Sequence, residues 1–454
     1  MNTKNVIFTL DSYKQLHHVM YPEGTERVYS YLEARPGSEY PYTVFFGLQY
    51  ILKEWLEGVA LTREMINEAE PVMREHFKFN GDVWSREKWD YIVDVHSGRL
   101  PVKICAVAEG SKVPIGNVLM TIVNTDPKCW WLTNALETVL QQVWYSITVC
   151  TRSHSIVSLL RSAFRKTVDD NLQWLADFYL HDFGARGVSC MEQAGIGGMA
   201  HLVNSKGTDT DMAILYAMKY YNACIDGLAY SVPASEHSIA TALGEENEFE
   251  VTKRLVRLFP KGILSVVSDS YDIRHAVKTY CVDNELSDAI LKRDGKFVIR
   301  PDSSRFPGDT PADQILWIAE TLESRWGVTI NSKGYKVLHP SFGIIYGDGL
   351  REGDIRAAVS KLLDNNFTAS TCVFGQGGGL LQMVNRDTCR FAFKASAQQR
   401  NGIWHDIYKK PTDTTKISKK GKLKLVYDDQ NGGALATVPE TDPRPDQLVT
   451  VFEN

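Results

Sequence analysis

The stretch TCVFGQGGGLLQMVNR, residues 371–386, decides the fold: a short apolar run breaks into Gly375, Gly377, Gly378 and Gly379 and then resumes as an apolar segment. The pattern predicts a strand, a glycine loop and a helix. Glycines let successive backbone N–H groups turn toward one point with no Cβ in the way, and a following helix adds its positive N-terminal end there. Such a loop suits a phosphate. Three earlier runs end in the same manner: LSVVSDS at 264–270, FVIRPDS at 297–303 and GIIYGDG at 343–349. Strands buried on both faces of a parallel sheet have this β-branched composition, and α/β barrels gather their chemistry at the C-terminal strand ends. Four such endings predict one shared pocket.

Helical patterns at 249–259, 273–280, 311–326 and 354–363 alternate with these runs, the third opening after Thr310 as an N-cap. Regular β-then-α alternation predicts a parallel, barrel-like arrangement. Earlier, 6–10 is a short strand-like run, 27–35 alternates like a half-exposed strand, and 43–56 and 62–76 carry apolar residues at helical spacing. Residues 102–124 switch to hairpin-rich β character, and a long helical pattern runs from 130 through 164. Past Arg386 come a short strand at 391–394 and a basic stretch at 409–422, expected as a solvated loop. The expected class is α/β: an irregular (β/α) barrel domain over 146–385, an α+β domain over 1–145, and a segment, 386–454, that returns to the N-terminal domain.

With 454 residues, 44% hydrophobic and 23% charged, the chain buries a large core and exceeds one ordinary domain. A net charge of -5 gives no sign of nucleic acid or a membrane surface as partner. The eight cysteines are scattered, with no CxxC pair and no metal-ligand spacing. The N-terminal MNTKNVIFTLD is broken by Asp11 too early for a signal peptide, and no apolar run is long enough to span a bilayer. The expectation is a soluble, cytoplasmic protein.

Several clusters carry chemistry or plain structure. Asp11-Ser12-Tyr13-Lys14 reads as a helix cap with a packing tyrosine, or as part of a site. His181-Asp182-Phe183-Gly184-Ala185-Arg186-Gly187 is either a turn or a functional corner. Gly195-Ile196-Gly197-Gly198-Met199-Ala200 fits the dinucleotide pattern GxGxxA but lacks the preceding apolar strand, so close helix packing is the better reading. His237 at a helix start is a capping residue or, with Glu236 as orienting carboxylate, a base or nucleophile. Walker, zinc-protease, Gly-x-Ser-x-Gly and kinase signatures are absent. Asp272, Asp302 and Asp348, with Arg186, Arg300, Arg386 and the glycine loop, point to a polyphosphorylated sugar or nucleotide met by guanidinium groups and a hard cation.

The motifs DSYK, VYSYLEAR, GLQYIL, NTDP, WLTN, HDFGARGVS, HLVNSKGTDT, YSVPASEHS, SVVSDSYDI, IRPDS, GGGLLQ and SKKGKL run over nearly the whole chain. In this order they resemble the nicotinamide phosphoribosyltransferases, a type II phosphoribosyltransferase family. The resemblance implies transfer of phosphoribosyl from phosphoribosyl pyrophosphate to nicotinamide in NAD salvage. It also implies Mg²⁺ carried on the substrate phosphates with Asp302 as a candidate ligand, ATP as a coupling co-substrate through a phosphohistidine at His237, and a homodimer with active sites at the interface. Phe183 and Tyr13 would sandwich the pyridine ring, Tyr13 from the second subunit, and Asp209 would accept from the carboxamide and repel nicotinate. Arg300 and Arg186 would bind phosphate or pyrophosphate, and Asp302 the ribose hydroxyls. Gly347, Asp348, Gly377, Gly378 and Arg386 would hold the 5′-phosphate end, and Arg35, Lys394 and Lys409 would come from the second subunit. Asp272 is placed with the catalytic residues and Ser268 with the substrate-binding ones. Departures from the family pattern are Ala185 where an aromatic is expected, a missing charged insertion after Arg35, and an end at Asn454 where relatives continue.

Overall fold

The computed structural model describes residues 3–81, 83–302, 309–412 and 416–454. The chain divides into two units, residues 152–384 and residues 1–151 together with 385–454.

The 152–384 unit is built on a six-stranded parallel sheet in the order Gly207–Thr208, Leu180–Asp182, Cys372–Gln376, Phe342–Tyr346, Asp294–Arg300 and Lys261–Val267. Ser303, at the end of one expected run, lies outside the described residues. The central strands are apolar on both faces: Val266, Phe297, Ile299, Ile344 and Phe374 are buried on one, and Val267, Val298 and Ile345 on the other. The helices Ile273–Val282, Pro311–Trp326 and Glu352–Asp364 supply one side of that core through Val277, Ile315, Ile318, Ile355 and Leu362. A capping box between Thr310 and Asp313 starts the longest of them.

The sheet is curled. Tyr230 bridges to Gly207 at one edge and Ala234 to Ser265 at the other. That short connection covers at most ~14 Å of extended chain, whereas six strands laid flat would span roughly 24 Å at their usual spacing. The result is a mixed α/β half-barrel whose open side is crossed by residues 230–235. All the strand C-termini face one end of it.

The other unit carries a six-stranded antiparallel sheet in the order Ile403–Asp406, Phe391–Arg400, Thr25–Ala34, Val118–Asn124, Val102–Ala106 and Val449–Glu453. Thr25–Ala34 is thus central and mostly buried, not half-exposed, and the strand expected at 391–394 continues to Arg400. The strand-like run at 6–10 is a 3-10 turn, Val6–Thr9, started by the Asn5 side chain accepting from the Ile7 N–H. The expected helix at 43–56 shortens to Leu48–Ile51 and a π turn, Leu52–Leu56, since Tyr42–Val44 pairs as a strand with Lys112–Pro114. The long helical pattern resolves into Leu132–Ala135, Glu137–Gln141 and one 24-residue helix, Trp144–Thr167. The basic stretch is not simply solvated: Lys419 donates to Glu33 at 2.6 Å and to the Gly116 carbonyl at 2.6 Å. Residues 413–415 of that stretch, and Met1 and Asn2, lie outside the described residues.

No helix among the described residues is long and apolar enough to cross a membrane.

Candidate active site

The Leu180–Asp182 strand delivers Phe183 to the C-terminal end of the parallel sheet, where its N–H donates to the Gln376 carbonyl at 3.0 Å. The ring lies across the ends of two neighbouring strands. A Cβ at Gly375 would overlap three of its atoms, the farthest at 2.8 Å, and one at Gly347 would sit 3.0 Å from Cε2. These glycines are therefore a floor for an aromatic plate. Residues 181 and 183 share one face of the strand by its period of two, and the His181 and Phe183 rings are 5.2 Å apart.

Asp209 stands beside that plate, one residue past the Gly207–Thr208 strand, with its N–H on the Asp182 carbonyl at 2.9 Å. Its Oδ1 accepts from His181 Nε2 at 3.1 Å and from Ser231 Oγ at 2.5 Å. Burial alone would raise its pKa. The two hydrogen bonds, helped by the charges of His181 and Arg300, outweigh it and hold the carboxyl below its usual range. Arg300, at the end of Asp294–Arg300, keeps a buried Nε with no hydrogen-bond partner among the described residues. A buried guanidinium N–H without a partner is costly, and an anionic ligand would satisfy it.

The histidine is held by a carboxylate other than the one expected. His237 opens the short helix His237–Ala240, and its Nε2 meets Asp269 Oδ1 at 3.0 Å. Glu236 is engaged instead by the Ser238 hydroxyl. Asp269 is buried, and its other oxygen accepts from the Asp302 N–H at 2.9 Å. An ionised carboxylate only accepts, so Nε2 carries the proton and Nδ1 keeps its lone pair, with Asp302 Oδ2 3.8 Å away. Asp269 was visible only as a strand ending. Asp272 caps the Ile273–Val282 helix through Oδ1, to the N–H groups of Arg274 at 2.8 Å and His275 at 3.2 Å. Ser268 is fully buried, donating to the Val266 carbonyl at 2.8 Å and accepting from Tyr280 at 3.1 Å, so its side chain faces the core.

The glycine loop divides by role. Gly375 belongs to the strand Cys372–Gln376, and a Cβ at Gly379 would overlap the Leu350 carbonyl. Gly377 and Gly378 alone have room, with nothing closer than 3.4 Å to a Cβ. The helix that follows is a single turn, Gly378–Leu381, so its dipole adds less than the sequence pattern implies. Asp348 follows Phe342–Tyr346 directly after Gly347, and Arg186 is exposed in the turn Ala185–Gly187. The Gly195–Ala200 match lies inside the helix Met191–His201, where a Cβ at Gly195 would meet the Tyr216 ring at 2.7 Å and one at Gly198 the Ala213 Cβ at 2.6 Å. Close helix packing accounts for it.

In the other unit, Lys394 lies within electrostatic reach of Glu137, Arg35, Lys409 and Lys14; burial first, then the three cations, outweigh Glu137 and leave its pKa below the ordinary lysine value. Lys14 is buried and pairs with Glu137 at 2.5 Å. Tyr13 next to it is exposed, edge-on to His17 at 5.3 Å. Arg386 is exposed and pairs with Asp387 at 3.2 Å. A separate group, His96, Asp126 and Cys129, brings its polar atoms within 4.8 Å. Asp126 already accepts from His96, Tyr91 and the Lys128 N–H, and burial pushes the Cys129 thiol up to about 12, which makes it a poor metal ligand.

Residues 178–450 match the model of the nicotinate phosphoribosyltransferase family, and residues 5–104 match that of the nicotinamide phosphoribosyltransferase N-terminal domain. The protein named nicotinamide phosphoribosyltransferase from Xanthomonas campestris pv. campestris is 42% identical over 99% of this chain and 94% of its own length. The chain belongs to the nicotinamide phosphoribosyltransferases, within the nicotinate phosphoribosyltransferase family. A relative of the same name from Acinetobacter baylyi is 34% identical over 99% of this chain and 94% of its own. Among solved structures, the nicotinate-nucleotide pyrophosphorylase of Pyrococcus furiosus aligns with a TM-score of 0.61 at 14% identity, over 100% of this chain and 91% of that one. Human nicotinic acid phosphoribosyltransferase aligns at 0.57 and 12% identity, over 98% and 88%. These two share the fold.

Proposed function

We propose that this member of the family transfers the phosphoribosyl group of phosphoribosyl pyrophosphate to the ring nitrogen of nicotinamide, giving nicotinamide mononucleotide and pyrophosphate, a step of NAD salvage. The observation that carries the reading is the pairing of the Phe183 plate with an ionised Asp209 whose Oδ1 is already occupied. Phe183 stacks on the pyridine and Asp209 Oδ2 accepts from the carboxamide N–H, which orients the ring nitrogen toward C1 of the ribose. The new C1–N bond forms as the C1–O bond to pyrophosphate breaks, and the electron pair leaves with pyrophosphate. Arg300, with Arg186, takes up the developing charge, and Gly377 and Gly378 leave room for the 5′-phosphate near Asp348.

Asp302, half-exposed and oxygen-bearing, suits Mg²⁺ bound through the substrate; the ion would neutralise phosphate charge. His237 would accept the γ-phosphoryl group of ATP on Nδ1 with release of ADP, held in orientation by Asp269. Arg35, Lys394, Lys409 and Tyr13 would act in a homodimer, presented to the phosphates and the pyridine of the second subunit.

A nicotinate phosphoribosyltransferase is the second reading, since residues 178–450 match the model of that family. A carboxylate held ionised repels a second carboxylate, which favours the amide. Steady-state rates with nicotinamide and with nicotinate, each with phosphoribosyl pyrophosphate and Mg²⁺, decide between the two.

A further inference from the structure

The carboxylate that reads the substrate has a support of its own, and that support is built into the sheet. His181 pairs with Gly207 across two parallel strands, and Asp209, two residues beyond Gly207, lies on the same face. Gly207 makes the seat: a Cβ there would sit 2.6 Å from His181 Nδ1. Asp209 is fixed at its backbone by the Asp182 carbonyl and at its side chain by two donors on one oxygen, His181 Nε2 and Ser231 Oγ. Ser231 follows Tyr230, which is itself bridged to Gly207. No hydrogen bond among the described residues engages Oδ2.

We propose that His181 is the positioning residue for nicotinamide-over-nicotinate selectivity: with Ser231 it saturates Oδ1 of Asp209 and turns Oδ2, as the sole remaining acceptor, toward the carboxamide. The proposal rests on the functional reading above. The carboxyl torsion of an aspartate is broad when nothing pins it, and two donors on one oxygen remove that freedom. They also close a way around the selectivity. A loosely held carboxyl could share a proton with the carboxylate of nicotinate and so admit it, as paired carboxyls do elsewhere. Donors that favour the ionised form oppose that sharing.

The test is the ratio of kcat/KM for nicotinamide to kcat/KM for nicotinate in the full-length enzyme and three variants. In His181→Ala the ratio falls at least tenfold, through a higher KM for nicotinamide and a gain of nicotinate turnover. In His181→Gln, whose side-chain amide can bring an N–H to the position of Nε2, the ratio stays within threefold of wild type. Ser231→Ala, which removes the other donor, falls between, and it carries the test if His181→Ala does not fold. A wild-type ratio in His181→Ala and Ser231→Ala would overturn the proposal. So would a His181→Gln protein as relaxed as His181→Ala at an unchanged thermal midpoint, because shape rather than the donor would then matter. Wild-type enzyme that prefers nicotinate would instead overturn the functional reading, whatever the variants do.

Discussion

Gly375→Ala tests whether the placement of one ring governs turnover. The backbone at Gly375 is ordinary strand, so alanine adds no conformational strain, only a methyl group that overlaps Cε2, Cδ2 and Cζ of Phe183. Ordinary carbon contacts lie near 3.5–4.0 Å, so the ring must retreat by on the order of 1 Å. Losing an aromatic contact outright is worth ~0.5–1.5 kcal/mol, about 2- to 12-fold. A misplacement of about 1 Å in a reacting array can reach ~100-fold. The expected fall in kcat/KM for nicotinamide is therefore between ~10- and ~100-fold, with KM for phosphoribosyl pyrophosphate little changed. Gly347→Ala is the graded control: its Cβ would be 3.0 Å from the same ring, which needs to yield only a few tenths of an ångström, and the expected loss is under ~3-fold. The assay is steady-state mononucleotide formation, with thermal midpoints measured alongside. A folded Gly375→Ala enzyme within twofold of wild type in nicotinamide kcat/KM would refute the claim that the glycine floor sets the plate.

Asp269→Asn removes a buried charge that both orients His237 and accepts from the Asp302 N–H; hydrogen bonds to charged groups are worth ~1.5–3 kcal/mol, so acid-labile phosphate incorporated from labelled ATP should fall by roughly tenfold or more. Glu248 is buried, its Oε1 has no hydrogen-bond partner among the described residues, and burial, then Asp269, raise its pKa to about 7. A raised acid pKa means the folded state binds the proton more tightly, so stability falls as pH rises from the unfolded value toward 7. Glu248→Gln should then be more stable than wild type by on the order of 2 kcal/mol above pH 7 and gain little at pH 4, and denaturant melts at the two pH values check both. Gly195→Ala forces the helix Met191–His201 off the Tyr216 ring, so overpacking of ~1–3 kcal/mol should lower the denaturation midpoint, with any dinucleotide affinity measured by calorimetry unchanged by the substitution because these glycines pack a helix.

The repeated strand endings were legible because a strand buried on both faces has little choice but continuous apolar, β-branched residues. Phe342–Tyr346 and Cys372–Gln376 sit side by side in one sheet as that composition implies. Leu180–Asp182 and Gly207–Thr208 were not legible as strands: they are too short for periodicity, and their polar residues are satisfied by partners distant in sequence, His181 by Asp209 and Asp182 by the Thr208 hydroxyl. The carboxylate on His237 was misassigned for a related reason. Glu236 is its neighbour in the chain, but the helix start turns that side chain to Ser238, while the adjoining strand brings Asp269 to the imidazole. Asp272 shows the opposite ambiguity, since an acid before a helix caps it whether or not it serves chemistry. The glycines illustrate the limit most clearly. Composition cannot separate Gly375, empty to admit a ring, from Gly377 and Gly378, which have open room.

The central claim is that the Phe183 plate and the ionised Asp209 select nicotinamide for phosphoribosyl transfer. Its most direct test is mononucleotide formation from phosphoribosyl pyrophosphate and Mg²⁺ with nicotinamide or nicotinate, with and without ATP, in wild type and Asp209→Asn. The account predicts turnover of nicotinamide over nicotinate in wild type, raised by ATP, and a selectivity that relaxes in the variant as the repelling charge is removed. Turnover of nicotinate in preference, or selectivity unmoved in Asp209→Asn, would contradict it.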